Sequence, residues 1–150
     1  WILWKIYVRL REKNLKFSEG AQAELSVMVS AVGEILDLTM QSLSTGDLAL
    51  AAKVEPLEQV IDDLKRQLRN THIARLTNGE CTVEAGFIWA DLLTNLERTS
   101  DHCSNIAVSI MDAHAHNMNV HQSLRSLKKN NPAFFEKLDD YSRKYQLPMM

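Results

Sequence analysis

Apolar residues recur along most of the chain at alternating steps of four and three, the spacing of helices that pack side by side in a bundle. The pattern predicts helices from about Ser18 to Leu43, from about Asp47 to Asn78 and from about Thr82 to Ala113. No segment competes by alternating apolar and polar residues, as a half-buried strand does. The predicted fold class is therefore all-α.

Each predicted helix carries an apolar stripe that is expected to face the core. In the first helix the stripe consists of Leu25, Val29, Val32, Leu36, Met40 and Leu43. In the second helix it consists of Leu50, Val54, Leu57, Ile61, Leu64 and Leu68. In the third helix it consists of Ala85, Trp89, Leu92, Leu96, Thr99, Cys103, Ile106 and Ile110. Pro56 lacks a backbone N–H, but the second stripe continues beyond it, which predicts a kink and not an end.

The connections between these helices are short. Ser44-Thr45-Gly46-Asp47 ends one helix and offers capping oxygens to the next, and Asn78-Gly79 supplies a left-handed stop. Links of only a few residues force neighbouring helices to run antiparallel. Residues 18–113 are therefore predicted to form an antiparallel three-helix bundle.

The two ends of the chain lie outside this bundle. Residues 1–17 are expected to be a connecting helix or linker, and residues 114–131 a polar linker with a short helix from Gln122 to Lys129. Asn131 as N-cap and Pro132 at the first helical position predict an additional C-terminal helix to about Tyr145, within a last segment of residues 132–150. The apolar edge of that helix should lie against the bundle and comprises Phe134, Phe135, Leu138, Tyr141 and Tyr145.

Charge and cysteine content narrow the function. A formal net charge of −2 argues against nucleic-acid binding, which needs a basic surface. Cys81 and Cys103 have neither metal-like spacing nor the number for a disulfide framework, which is typical of reduced thiols in a cytoplasmic protein. The chain opens at Trp1, as expected for a piece of a longer polypeptide. Its apolar and then basic residues 1–11 are far short of the ~20 residues of a membrane span, and suit a docking helix or a membrane interface.

Four acidic residues are candidate metal ligands. Glu58 and Asp62 stand four residues apart on the second helix, and Glu97 and Asp101 repeat that spacing on the third. Each pair lies on one helix face, beside the seam, where like charges cost ~0.2–0.5 kcal/mol unless a cation lies between them. Carboxylate clusters suit iron, manganese, magnesium or calcium. The alternative is ordinary surface ion pairing, such as Asp62 with Arg66 one turn on.

The sequence contains no catalytic motif. It has no glycine-rich phosphate loop, no nucleophile elbow, no His-Glu-x-x-His helix and no Glu-x-x-His pair of the di-iron oxidases. His72 and His102 lie near the apolar stripes and are interpreted as structural residues, while His114, His116 and His121 suit a solvated linker better than a weak metal site. The chain is therefore predicted not to be an enzyme.

The third helix resembles a known family. Its run Asp91-Leu-Leu-Thr-Asn-Leu-Glu-Arg-Thr-Ser-Asp-His-Cys-Ser-Asn-Ile-Ala107 is similar to the Leu-Glu-Arg…Asp…Asn-Ile-Ala signature of PhoU-family repeats. The stretch from Val54 to Leu64 resembles the second helix of that repeat. Residues 72–81 and 101–105 are more similar still to the PhoU-like C-terminal region of bacterial sodium/phosphate cotransporters. The resemblance covers about residues 15–112.

The resemblance implies a function that spacing does not show. PhoU-like proteins consist of three-helix repeats and control phosphate uptake. Their Glu/Asp-x-x-x-Asp motifs bind multinuclear iron, zinc or related metals, and here these motifs fall on Glu58 with Asp62 and on Glu97 with Asp101. Stand-alone members have two repeats and contact a phosphate-transport ATPase and a sensor kinase. This chain has one clear repeat, so a second would precede Trp1 or come from another copy.

The chain is therefore predicted to be a non-catalytic regulatory domain that controls phosphate transport. It is expected to be the cytoplasmic part of a sodium/phosphate cotransporter and to lie at the inner face of the cell membrane. Its expected partner is the membrane domain of that transporter, and its expected cofactor is iron or zinc, if any. Two alternatives stay open. One is a stand-alone dimeric regulator that contacts phosphate-signalling proteins, and the other is a carboxylate-metal binding or storage protein.

Overall fold

Four helices make up the regular structure of the described chain. They are Glu19–Thr45 (α1), Leu48–Thr77 (α2), Val83–Ala115 (α3) and Pro132–Lys144 (α4). The computed structural model describes Val8, Arg11, Glu12 and residues 15–115 and 131–148. Over these residues every element is a helix, which confirms the all-α prediction. The predicted ends of the helices lie within two residues of the observed ends.

Local capping sets where the helices begin and end. The helices start at side-chain oxygens that accept hydrogen bonds from first-turn N–H groups, those of Ser18, Asp47, Thr82 and Asn131. α1 and α2 are followed by Gly46 and Gly79, with φ of 71° and 73°. A residue with a Cβ atom rarely adopts this left-handed conformation, so glycine suits both positions.

Contacts between the helices establish an up-down-up bundle. Glu24, near the beginning of α1, accepts a hydrogen bond from Arg75, near the end of α2. Ser104, in the second half of α3, donates a hydrogen bond to Glu55, near the beginning of α2. α2 is therefore antiparallel to both α1 and α3, and all three helices pack against one another.

The core is most continuous along α2. Its predicted stripe is buried from Val54 to Leu68, and the helix continues past Pro56 as predicted. In α3 the predicted stripe is buried through most of its length to Cys103. Beyond that point Ile106 is exposed and Ala107 takes the core position instead.

The stripe predicted for α1 is wrong at four of its six positions. Val29, Leu36, Met40 and Leu43 are exposed, by 40–60% of their surface, whereas Val32 is buried and Leu25 is half-buried against the core. The core face of α1 is the neighbouring stripe, which consists of Ala21, Glu24, Met28, Ala31, Val32, Ile35, Thr39 and Ser42. Both stripes follow the steps of four and three, and the observed one includes smaller and polar side chains. The spacing alone therefore could not decide between them.

α4 packs against α2 and closes one side of the bundle. Phe134, Tyr141 and Tyr145 are buried as predicted, whereas Phe135 is exposed. The Tyr145 hydroxyl donates a hydrogen bond to Glu34 of α1, and so does Lys144. The short helix predicted from Gln122 to Lys129 lies outside the described residues, as does most of the predicted connecting segment at residues 1–17.

Candidate functional site

The packing of α2 against α3 positions the candidate carboxylates. Leu57 and Ile61 are buried in the seam between the two helices, together with Leu96 of α3. Glu58 and Asp62 each follow one of these α2 residues, so they lie about 100° further around the helix. The acidic residues are therefore held at the edge of the seam and not in its interior.

The structure brings three of the four predicted residues together. Carboxylate oxygens of Glu58 and Asp62 of α2 and of Asp101 of α3 all lie within 4.8 Å of one another. Glu58 and Asp101 are half-buried, and Asp62 is exposed. These three residues are called the carboxylate cluster below.

The fourth predicted residue, Glu97, is engaged differently. Its Oε2 lies 2.7 Å from the Nζ atom of Lys65, across the seam from α3 to α2. Both side chains are partly exposed, at 31% for Lys65 and 19% for Glu97. Glu97 therefore lies beside the carboxylate cluster, and Lys65 supplies the positive charge nearest to it.

The acidic neighbours of the cluster change its protonation. The pKa of Asp62 is raised above its ordinary value, first by burial and then by the charges of Glu97 and Asp101. The pKa of Asp101 is raised as well, first by burial and then by Glu97. Lys65 acts in the opposite direction on both groups, but it does not reverse either shift. The cluster therefore favours the arrival of a proton or a cation.

This donor set fits a hard cation. Three carboxylate oxygens at such distances can move onto one ion with small side-chain adjustments, because oxygen ligands of divalent metals lie about 2.0–2.6 Å from the ion. Oxygen-only sites suit iron, manganese, magnesium or calcium, whereas structural zinc sites are built mainly from sulfur and nitrogen. Of the two metals that the resemblance implies, zinc is the poorer match to such a donor set.

Histidine and cysteine form a separate contact that the sequence spacing did not reveal. His72 is buried and stacks on Trp89, with ring centroids 5.8 Å apart. Its Nε2 lies 3.9 Å from the Sγ of Cys81, across the turn between α2 and α3. Burial, and secondarily the charge of Arg75, lowers the pKa of His72. The interpretation of His72 as a structural residue agrees with this packing.

Among the described residues, no other histidine belongs to the carboxylate cluster. His102 and His114 are exposed on α3. His116 and His121 lie outside the described residues. Cys103 is buried in the core as predicted, and burial raises its pKa.

Over the part of the chain that the structure describes, no helix combines the length and the apolar character that crossing a membrane requires.

Comparison with known proteins agrees with the fold. A family model described as the PhoU domain matches residues 25–110, more than half of the chain. The chain is 22% identical over 102 residues to a phosphate-specific transport system accessory protein, PhoU homolog 1, of Thermotoga maritima. That alignment covers 68% of this chain and 43% of the relative, so the chain spans less than half of the relative's length. No solved structure matches the chain significantly.

Proposed function

The chain belongs to the PhoU family, and from that premise we propose that it is a regulatory domain of phosphate transport, fused to a sodium/phosphate cotransporter and acting at the inner face of the membrane. PhoU proteins regulate phosphate transport without catalysis and act through transport and signalling proteins. The observation that carries the regulatory role is the match of the PhoU domain to residues 25–110, which make up most of the three-helix bundle. The fusion to a transporter rests on the resemblance of residues 72–81 and 101–105.

We further propose that the carboxylate cluster binds a divalent cation, iron before zinc. Glu58 and Asp62 would hold it from α2 and Asp101 from α3, with Glu97 as a fourth ligand when it leaves Lys65. The support is the approach of three carboxylates within 4.8 Å and the raised pKa values of Asp62 and Asp101. A cation bound there would offset the repulsion between acidic groups that face each other. It would also tie α2 to α3, and thereby stabilise one arrangement of the bundle.

Metal titration tests this site. The purified chain is titrated with Mn²⁺, with Fe²⁺ under anaerobic conditions and with Zn²⁺, by calorimetry and elemental analysis. Asp62→Asn and Asp101→Asn should each weaken Mn²⁺ binding at least about tenfold. Even the loss of a residue that only hydrogen-bonds to a metal ligand weakens binding by about that factor. Affinity should also fall as the pH is lowered, because protons compete for the same oxygens.

Asp63→Asn is the matched control. Asp63 is next to Asp62 in sequence, but its carboxylate pairs with Arg66. Its loss should leave the Mn²⁺ affinity within about twofold, since the ion would lose only a weak long-range interaction. Equal effects of Asp62→Asn and Asp63→Asn, or no binding at all, would remove the metal site and leave the regulatory assignment on the family match alone.

The exposed face of α1 favours the second candidate function, a stand-alone dimeric regulator. Val29, Leu36, Met40 and Leu43 form an outward apolar face, as expected of a surface that a second bundle covers. The reading frame upstream of Trp1 separates the two candidates, because membrane helices would precede the bundle in a transporter fusion. Sedimentation of the purified chain tests dimerisation, which Met40→Asp should abolish if α1 forms the interface.

A further inference from the structure

A groove runs between the second half of α2 and the first half of α3. It encloses about 510 Å³ and is lined mainly by apolar side chains. Four large apolar residues at this end of the helices are exposed, with Phe87 at 71%, Val83 at 61%, Ile73 at 51% and Leu76 at 36%. Single exposed apolar residues are common, but a contiguous patch that lines a concave surface marks an interaction site.

The floor of the groove is closely packed where Gly86 of α3 meets His72 of α2. A Cβ atom on Gly86 would lie 2.8 Å from the Nε2 of His72. The ring of His72 therefore fills the space beside Gly86, and its stacking on the buried Trp89 holds it there. A site of this kind is formed before its ligand arrives, which reduces the entropic cost of binding.

The charge of the groove has one sign. Its charged lining residues are Lys65 and Arg69, both on α2, and none of the described residues that line it is acidic. Lys65 also pairs with Glu97 beside the carboxylate cluster, so Arg69 supplies most of the net positive charge of this basic rim. A ligand that fits both the rim and the lining must combine apolar groups with negative charge.

The shape of the groove selects a helix. The lining residues recur at helical spacing from Lys65 to Leu76 on α2 and from Val83 to Thr94 on α3. Each of these stretches extends over roughly 16 Å at 1.5 Å per residue, or about three turns. Two parallel ridges of that length are the surface into which an amphipathic helix packs with its apolar face.

We infer that this groove docks an acidic amphipathic helix of a partner protein. Its apolar residues, one turn apart, would cover Phe87 and Ile73, and its acidic residue would meet Arg69. An anionic membrane is a poorer fit, because polybasic lipid-binding surfaces carry about four to eight Lys or Arg residues and the groove has two. The inference goes beyond the proposed function, since it assigns a contact surface that neither the bundle fold nor the carboxylate cluster requires.

Synthetic peptides on the full chain test the inference, with EDTA present to remove metal ions. The probe is a helical peptide of about 14 residues with leucines one turn apart and glutamates on the adjacent face. Its matched partner carries lysine in place of each glutamate. The acidic peptide should bind at least about tenfold more tightly, as measured by fluorescence anisotropy.

Two variants locate the binding. Phe87→Ser should weaken the acidic peptide about tenfold, because an exposed aromatic anchor is lost without disturbing the core. Arg69→Glu should weaken the acidic peptide to a similar degree and improve binding of the lysine peptide, a reversal that misfolding cannot produce. Phe135→Ser and Arg143→Glu change an exposed aromatic and an exposed basic residue outside the groove, and should leave both affinities within about twofold.

Several outcomes would overturn the inference. Equal binding of the two peptides, or binding that Phe87→Ser and Arg69→Glu leave unchanged, would mean that the groove is not the site. Binding of vesicles containing phosphatidylserine, with loss in Phe87→Ser and no peptide binding, would replace the protein partner with a membrane. Asp101→Asn separates this result from the metal proposal, since it should reduce Mn²⁺ affinity and leave peptide affinity in EDTA unchanged.

Discussion

The acidic residues in the core of this bundle and those of the carboxylate cluster differ in the groups that surround them. Glu24 and Glu55 are buried in the core, with 1% and 4% of their surface exposed. Glu24 lies 2.5 Å from a guanidinium nitrogen of Arg75, and Glu55 accepts a hydrogen bond from Ser104, also at 2.5 Å. Each buried carboxylate thus has a partner on another helix.

The carboxylate cluster lies at the edge of the α2–α3 seam, where carboxylates of two helices face one another. Its carboxylates approach each other, and burial together with acidic neighbours raises the pKa of Asp62 and of Asp101. A buried carboxylate needs hydrogen-bond or charged partners, because its desolvation is otherwise costly. At the surface, water screens the repulsion between like charges, so acidic side chains of two helices can lie side by side. The comparison teaches that the core carboxylates are held by partners on other helices, while those of the cluster gather at one edge of the α2–α3 seam.

The largest expected effect concerns the buried ion pair. Arg75→Met leaves Glu24 buried without its guanidinium partner, which should lower the free energy of unfolding by about 3–5 kcal/mol in urea titrations. Arg69→Met, on the exposed side of the same helix, is the control and should stay within about 0.5 kcal/mol. In the double variant Glu24→Gln/Arg75→Met much of the loss should be recovered. A loss no larger than the about 1 kcal/mol of a surface ion pair would contradict the role of Arg75 as the required countercharge.

A smaller loss is expected at the second buried carboxylate. Ser104→Ala removes a hydroxyl that donates to Glu55, and should lower the free energy of unfolding by about 1–3 kcal/mol. The matched change is Ser109→Ala, at an exposed serine of α3 whose hydroxyl donates to the Asn105 carbonyl of its own helix. If the two variants unfold at the same urea concentration, the hydrogen bond between α2 and α3 contributes nothing to stability.

The smallest effect, and one of opposite sign, is expected in the carboxylate cluster. Without added metal at neutral pH, Asp62→Asn should raise the free energy of unfolding by about 0.2–0.5 kcal/mol, because it removes repulsion between like charges. Asp63→Asn serves again as the control, and should not stabilise, since it breaks the contact with Arg66. Destabilisation by Asp62→Asn in metal-free buffer would contradict a net repulsion between Asp62 and its acidic neighbours.

The pH dependence of that gain follows from the raised pKa values. An aspartate with a raised pKa in the folded state favours folding while it is protonated, and loses this contribution as the pH rises through the folded-state pKa. The advantage of Asp62→Asn over the parent should therefore be absent below the ordinary pKa of 3.8, grow as the pH rises above it, and then level off. Chemical unfolding of both proteins from acidic to neutral pH measures the difference directly.

Much of the local structure could be predicted from the sequence. Helix ends depend on neighbouring residues, so Ser18, Gly46, Asp47 and Gly79 indicated them to within two residues. The core side of α2 was also predictable, because its apolar residues occupy one stripe. α1 carries apolar residues on two adjacent faces, and four of the six residues predicted for its core face are exposed.

The composition of the candidate site was only partly predictable. Spacing of four residues placed Glu58 beside Asp62 and Glu97 beside Asp101, because such pairs share a helix face. The ion pair of Glu97 with Lys65 joins two helices, and no spacing within one helix indicates it. The contact of His72 with Cys81 is equally a product of how α2 and α3 meet across their turn.

The sequence by itself determined the helices, their order and their antiparallel arrangement, since capping, periodicity and loop length act between near neighbours. Only the tertiary structure decided which face of α1 is buried, which three carboxylates meet and where an apolar groove stays open. Those outcomes depend on the rotation of each helix about its axis, and that rotation is settled by packing and charge pairing among all the helices together.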